Sequence, residues 1–246
     1  GGLPLRSEAQ MRDWLRERKE AGIKEVHASF AGYGEMHDRW NGRAGDFDFQ
    51  MNNLRIAGEL GMEISQRLFL TQSTLPLLEP LIDQLDELPG RVKKRYVCPL
   101  FYMGTAVNLE NDRITEATRA KLPARIAELC RKNRVKWRSE REWLEVVRNE
   151  QEGPEAVMLR LEPDEDNIDK LEAMSCEEIV AALTAKTRRA YEAIPSRREL
   201  CEKCGDPHNT RIYTLRNDIE RKWLDRYLAD NPLSFDRLLT HLAMVQ

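Results

Sequence analysis

The chain has 246 residues, enough for one large domain or a domain with an appendage. Hydrophobic residues make up 41% and charged ones 33%, a composition that supports a packed core and excludes a chain disordered throughout. Thirty-nine basic against forty-two acidic side chains leave a net charge of -3, which argues against a surface built wholly for nucleic acid, and no apolar run approaches the roughly 20 residues needed to span a bilayer.

Residue 1 is Gly, and no charged segment followed by an apolar one opens the chain, so no secretory signal is read. Five cysteines, an odd number spread over more than a hundred residues, do not form a disulfide framework. The expectation is a soluble chain of a reducing cytoplasm, with no membrane partner.

Ser7 and Gln10 predict a capping box before a helix that carries Met11, Trp14, Leu15 and Arg18 at helical spacing, with Gly22 placed as its C′ residue. Ile23 to Ser29 reads as a buried strand that opens into the Gly32/Gly34 turn. A second helix carries Phe47, Met51, Leu54 and Gly58 on one stripe and stops at Gly61. Ile64 to Thr71 is the next strand. Leu75 to Leu88 has Leu78, Leu81, Ile82 and Leu85 on one helical face, and Arg91 to Cys98 is a third strand. Strands separated by helices imply crossover connections and a parallel sheet, so the fold class is α/β.

The pattern changes after residue 112, which divides the chain into 1–112 and a mainly helical region 113–246. Arg119 to Arg148 holds ten basic residues against four acidic, and Glu150 to Glu178 holds eleven acidic against two basic. Such asymmetry fits either an electrostatic footprint for nucleic acid or helices with solvated, mutually paired faces, and the second is the commoner case. Ser139 with Glu142 and Ser175 with Glu178 read as capping boxes, Ala156 to Leu161 as one extra strand, and Leu215 to Leu228 and Ser234 to Met244 as two helices parted by Asn231-Pro232.

The run from Ile23 to Leu70 is the most specific: a strand ending Ala28-Ser29-Phe30-Ala31-Gly32, then Glu35-Met36-His37-Asp38, then Asn41-Gly42-Arg43-Ala44-Gly45-Asp46-Phe47, a helix and another strand. It resembles the middle of a radical S-adenosylmethionine (radical SAM) enzyme. In that family a strand ends in Ser-x-x-Gly, a His-Asp pair and an Arg-Gly step follow, and Gly-x-Phe opens the next helix. Ser29, Gly32, His37, Asp38, Gly42, Gly45 and Phe47 match, while Asn41 stands where the family usually has arginine. Gly1-Gly2-Leu3-Pro4-Leu5 is similar to the loop after the preceding strand, so the expectation is that the chain starts inside the fold.

The resemblance covers about residues 1 to 110 and implies the second half of a partial (β/α) barrel. It implies a [4Fe-4S] cluster and S-adenosylmethionine, which together generate a 5′-deoxyadenosyl radical for hydrogen abstraction from a small-molecule or peptide substrate. The family's Cys-x3-Cys-x2-Cys lies upstream of the matching segment, and Cys98, Cys130 and Cys176 stand too far apart to replace it. The Gly-Gly-Glu-Pro element that touches the methionine amino group is also missing. The alternative is a cluster-less relative that acts as a binding or interaction module through its helical half.

Ligands of parallel α/β folds bind beyond the carboxyl ends of the strands, so Ser29 and Thr71 are expected at one mouth, with Arg67 beside them if it faces inward. A hydroxyl and a guanidinium there would hold the ribose and the carboxylate of S-adenosylmethionine. The competing reading makes Ser29 a turn residue and Arg67 an outward, ion-paired one, with His27 and His37 as packing or capping residues.

Cys201, Cys204 and His208 form the other candidate, three ligands for zinc or an accessory iron–sulfur cluster with Cys176 as a distant fourth. The plainer reading is a helix end with Gly205 as its C-cap, and no bound metal is expected. The chain holds no Gly-rich phosphate loop, no nucleophile elbow and no His-Glu-x-x-His.

Overall fold

The computed structural model describes residues 4–102, 104–150, 159, 161 and 163–232. The Ala156–Leu161 strand and the Ser234–Met244 helix expected from sequence lie outside them, apart from Leu159 and Leu161, as does the Gly1–Leu3 part of the opening loop. The chain divides into two compact units, Gly1–Trp137 and Arg138–Gln246. That division falls after the change of pattern at 112 because helix α6 (Ala124–Lys132) packs on the sheet of the first unit.

In the first unit α1 (Glu8–Glu20) begins at the Ser7/Gln10 capping box and ends with Gly22 at φ 91°. There follow β1 (Glu25–Phe30), α2 (Glu35–Asn41), α3 (Asp46–Glu59), β2 (Glu63–Leu70), α4 (Leu75–Asp86) and β3 (Arg91–Pro99). A 3-10 segment (Gly104–Asp112), α5 (Glu116–Arg119) and α6 complete the unit. The three strands form one parallel sheet in the order β1-β2-β3. The fold is therefore α/β with a parallel sheet. Helix α2 was not expected: its seven residues show no apolar period, and the αL residue Gly42 ends it.

Strand alternation splits the sheet into two unlike faces. Val26, Ala28, Phe30, Ile64, Gln66, Leu68, Leu70, Val97 and Pro99 are buried on one, against α3, α4 and α6. Leu54, Ile56, Leu78, Leu81, Ile82 and Leu85 meet them from the helices, all fully buried. Each such side chain contributes about 1.5–3 kcal/mol by leaving water, which makes this layer the main source of stability of the unit. Gly58 of α3 lies so close to the turn before β3 that an added Cβ would stand 1.9 Å from the Pro89 carbonyl oxygen.

The second unit contains β4 (Arg138–Ser139), α7 (Glu140–Asn149), α8 (Ile168–Glu172), α9 (Cys176–Ala193), α10 (Arg197–Cys204), β5 (Ile212–Tyr213) and α11 (Arg216–Asp230). Trp143, Leu144, Val147, Leu200, Cys201, Tyr213, Ile219, Trp223 and Leu224 form its core. Fully buried Glu140 sits within it, accepting hydrogen bonds from the Asp206 backbone, Trp223 Nε1, Asn209 Nδ2 and Arg226. With so many donors that carboxylate is satisfied and structural. Among the described residues no helix is long and apolar enough to cross a membrane.

Candidate functional site

The second face of the sheet is polar and carries Glu25, His27 and Ser29 from β1, Glu63, Ser65, Arg67 and Phe69 from β2, and Lys94, Tyr96 and Cys98 from β3. His27 and Lys94 are exposed, and Ser29, Arg67, Phe69 and Tyr96 are half-buried. Ser29 and Arg67 are register partners, and Arg67 pairs in turn with Tyr96, so the three residues form one row across the sheet near its carboxyl end. Arg67 donates from Nε to the Tyr96 hydroxyl at 2.8 Å, and its guanidinium lies over the Tyr96 ring at 5.2 Å. The same hydroxyl reaches across β2 to His27 Nε2 at 3.1 Å. The contact occupies Nε2 in either tautomer and leaves Nδ1 as the ring nitrogen with no partner among the described residues.

The amino end of this face is occupied by ion pairs. A register shift between Ile64 and Ser65 inserts Lys93, which bonds Glu25 at 2.6 Å and Glu63 at 3.1 Å, while Arg91 reaches Glu63 at 3.2 Å. Ser65 donates to Glu25. Lys93 and the Ser65 hydroxyl hold the Glu25 carboxyl below the usual carboxylate range.

Side-chain hydrogen bonds tie the loop after β1 together. Ala31 donates its backbone N–H to His37 Nδ1 at 3.1 Å, which leaves Nε2 as the donor toward Asp46 at 3.1 Å. Asn41 donates to Asp46 at 2.5 Å and Arg43 pairs with its other oxygen. Burial pushes the His37 pKa down, and the Asp46 charge only partly offsets it. Burial raises the Asp46 carboxyl, but the bonds from Arg43 and Asn41 outweigh that and its pKa is lowered. Asp38 accepts from the Gly45 and Phe47 N–H groups at 2.6 and 2.8 Å and so closes the start of α3. His37 and Asp38 thus hold the loop, for His37 one of the packing or capping roles expected from sequence. Trp40 of α2 stacks on Phe69 at 6.2 Å, at the carboxyl end of β2.

Thr71 stands apart from the Ser29–Arg67 row. It is fully buried, and its backbone N–H and hydroxyl bond Thr74 at 2.8 and 3.1 Å in the turn that starts α4. Nor are Cys201, Cys204 and His208 brought together. Cys201 is buried in the core of the second unit with Sγ 3.8 Å from the Leu144 carbonyl, Cys204 packs at the margin of that core, and His208 is exposed. Burial pushes both thiols up, away from the thiolate a metal needs. Gly205 caps α10 and approaches Leu144 too closely for a Cβ. Among the described residues no group of three His, Cys, Asp or Glu is placed to hold a metal ion.

No protein-family model, curated protein or solved structure matches this chain. Tyr96 and Lys94 were missed in the sequence because a register shift falls within the β2–β3 pairing, and only the register shows which β3 residues share a face with Arg67; His27, two residues before Ser29 on regularly paired β1, was legible from strand alternation.

Proposed function

We propose that the first unit is the second half of a radical SAM partial barrel, its polar sheet face being the inner wall, and that Ser29 and Arg67 bind the ribose and carboxylate of S-adenosylmethionine. The observation that carries this reading is the sidedness of the sheet: three parallel strands with α3, α4 and α6 packed on the apolar face and a half-buried serine–arginine pair on the other. Among the described residues the Arg67 side chain bonds only Tyr96, and this through Nε, so its two terminal amino groups remain for a bidentate carboxylate. Thr71 is left out of the cofactor site, since its hydroxyl is spent on the α4 turn.

The cluster is a different matter. The chain's cysteines lack the Cys-x3-Cys-x2-Cys spacing, and all five thiols are free and scattered. These residues do not fit a [4Fe-4S] ligand set, so no step is assigned through it, and the cluster is proposed to be held by a segment outside those described. The bound cofactor and cluster would supply the radical chemistry, and this unit orients the cofactor against a small-molecule or peptide substrate. Free thiols support a reducing, cytoplasmic setting.

Anaerobic iron and sulfide analysis of the natural full-length protein tests the reading, with 5′-deoxyadenosine formation from S-adenosylmethionine under dithionite as the second readout. About four irons per chain and 5′-deoxyadenosine are expected. An iron-free protein after reconstitution, with no 5′-deoxyadenosine, would leave the cluster-less binding module.

A further inference from the structure

We propose that the same sheet face holds a second anion, an oxyanion group of the substrate, seated on Lys94 and His27 one row below the cofactor's carboxylate. The inference rests on the reading of this face as the ligand wall and adds to it the chemical class of the substrate: an acid, phosphate or carboxylate.

The cations of β3 are unequally paired. Arg91 and Lys93 are paired with Glu63 and Glu25, and Arg95, on the opposite face, pairs with Asp86 at 2.6 Å. Lys94 is the exception. Among the described residues it has no carboxylate partner, and its ammonium group lies 4.8 Å from the centroid of the Tyr96 ring. Arg67 shares that ring and likewise has no carboxylate partner. Two cations gathered on one aromatic ring repel each other, and nothing among the described residues on this row neutralises them.

Register puts His27, Ser65 and Lys94 in one row, directly below Ser29, Arg67 and Tyr96. His27 Nε2 is occupied by the Tyr96 hydroxyl, which leaves Nδ1 as the ring nitrogen open to a ligand. Glu25, the nearest acid on β1, is already bonded by Lys93 and Ser65 and is not available to Lys94. The groups facing His27 are thus Glu25, Arg67, Lys94 and Tyr96, of which Arg67 and Lys94 act to keep its proton off, after burial. An oxyanion beside Lys94 would neutralise the excess charge and favour the proton on His27 Nδ1, from which it would accept. Arg67, held through Nε by Tyr96, stays committed to the row above. The Tyr96 side chain then separates two anion subsites, which would set the distance between cofactor and substrate.

The test is an NMR titration of the His27 ring in the full chain, run in sodium chloride, inorganic phosphate and acetate at matched ionic strength, with S-adenosylmethionine binding measured in parallel. Phosphate, or phosphate and acetate alike, is expected to raise the His27 protonation midpoint in a saturable manner. Saturation by phosphate alone marks a phosphorylated substrate and saturation by both a carboxylic acid. Lys94→Gln is expected to raise the midpoint without any anion, to weaken the anion effect about fivefold, and to leave S-adenosylmethionine affinity within about twofold. Lys94→Arg should restore the anion effect. A His27 midpoint that moves no more with phosphate or acetate than with chloride, or that moves equally in Lys94→Gln, overturns the second subsite. If S-adenosylmethionine binds in that case, the failure is confined to this inference; if it does not bind either, the reading of the face falls with it.

Discussion

Arg67 and Tyr96, register partners on β2 and β3, are joined twice, by a 2.8 Å hydrogen bond from Nε to the phenol oxygen and by the guanidinium lying 5.2 Å over the ring. The two contacts fix the guanidinium plane, so the bidentate edge is set before any ligand arrives. Preorganisation of this kind saves the side-chain entropy that a free arginine would lose on binding. Tyr96→Phe keeps the stacking and removes the bond. It is expected to cost about 0.5–1.5 kcal/mol in stability and to weaken S-adenosylmethionine about threefold to tenfold, chiefly through faster dissociation, as read by calorimetry and stopped-flow.

The His37–Asp46 clasp makes the loop after β1 sensitive to acid. Burial depresses the folded pKa of His37 below its ordinary value of 6.5, so the unfolded chain takes up a proton that the folded chain refuses. Stability from this group is therefore full above 6.5 and declines as the pH falls through the folded value. Asp46, whose folded pKa is also lowered, adds a further loss only below its ordinary 3.8. The protection factor of the Ala31 amide, which donates to His37, should fall from pH 7.5 to about pH 5 in the native chain and stay nearly level in His37→Gln. A native profile as flat as that of the variant would remove His37 from the account.

Gly58 offers a test of packing with an inverted sign. In an exposed helix interior Gly→Ala stabilises by about 0.5–1 kcal/mol. Here a Cβ would collide with the backbone of Pro89 at 1.9 Å, with no flexible side chain to move aside. Gly58→Ala is expected to destabilise the first unit by about 2–4 kcal/mol, measured by urea denaturation.

For the cysteine pair, the core position of Cys201 predicts that Cys201→Ser costs about 1–3 kcal/mol by placing a hydroxyl among Leu144, Leu200 and Trp223. A chelator should leave the unfolding curve of the native chain unmoved, and Cys204→Ser should cost less, since that thiol lies at the margin. A chelator-induced fall in Tm that Cys204→Ser abolishes would restore the metal site.

Helical and strand periods carried most of the first unit. The Ser7 capping box, the αL glycine at 22, the leucine face of α4 and the three strands all follow from local rules, and local rules decide these elements because each buries a single face. What failed was what depends on pairing between distant segments. The bulge that inserts Lys93 sets which β3 side chains meet Arg67, and no local pattern reveals it. Thr71 has the right parity for the ligand face but lies just past the strand end, where the turn to α4 captures its hydroxyl. The helix end expected at Cys201–Gly205, by contrast, was legible locally, since α10 stops there with Gly205 as its cap and turns Cys201 toward the apolar core.

The central claim is that Arg67 and Ser29 hold the carboxylate and ribose of S-adenosylmethionine. Its most direct test is calorimetric titration of S-adenosylmethionine into the native chain and into Arg67→Gln, with circular dichroism to confirm that the variant is folded. The account predicts one site per native chain and a loss of about tenfold or more in Arg67→Gln, the consequence of removing a bidentate ion pair. Absence of binding to the native chain, or equal affinity in the two proteins, would contradict it.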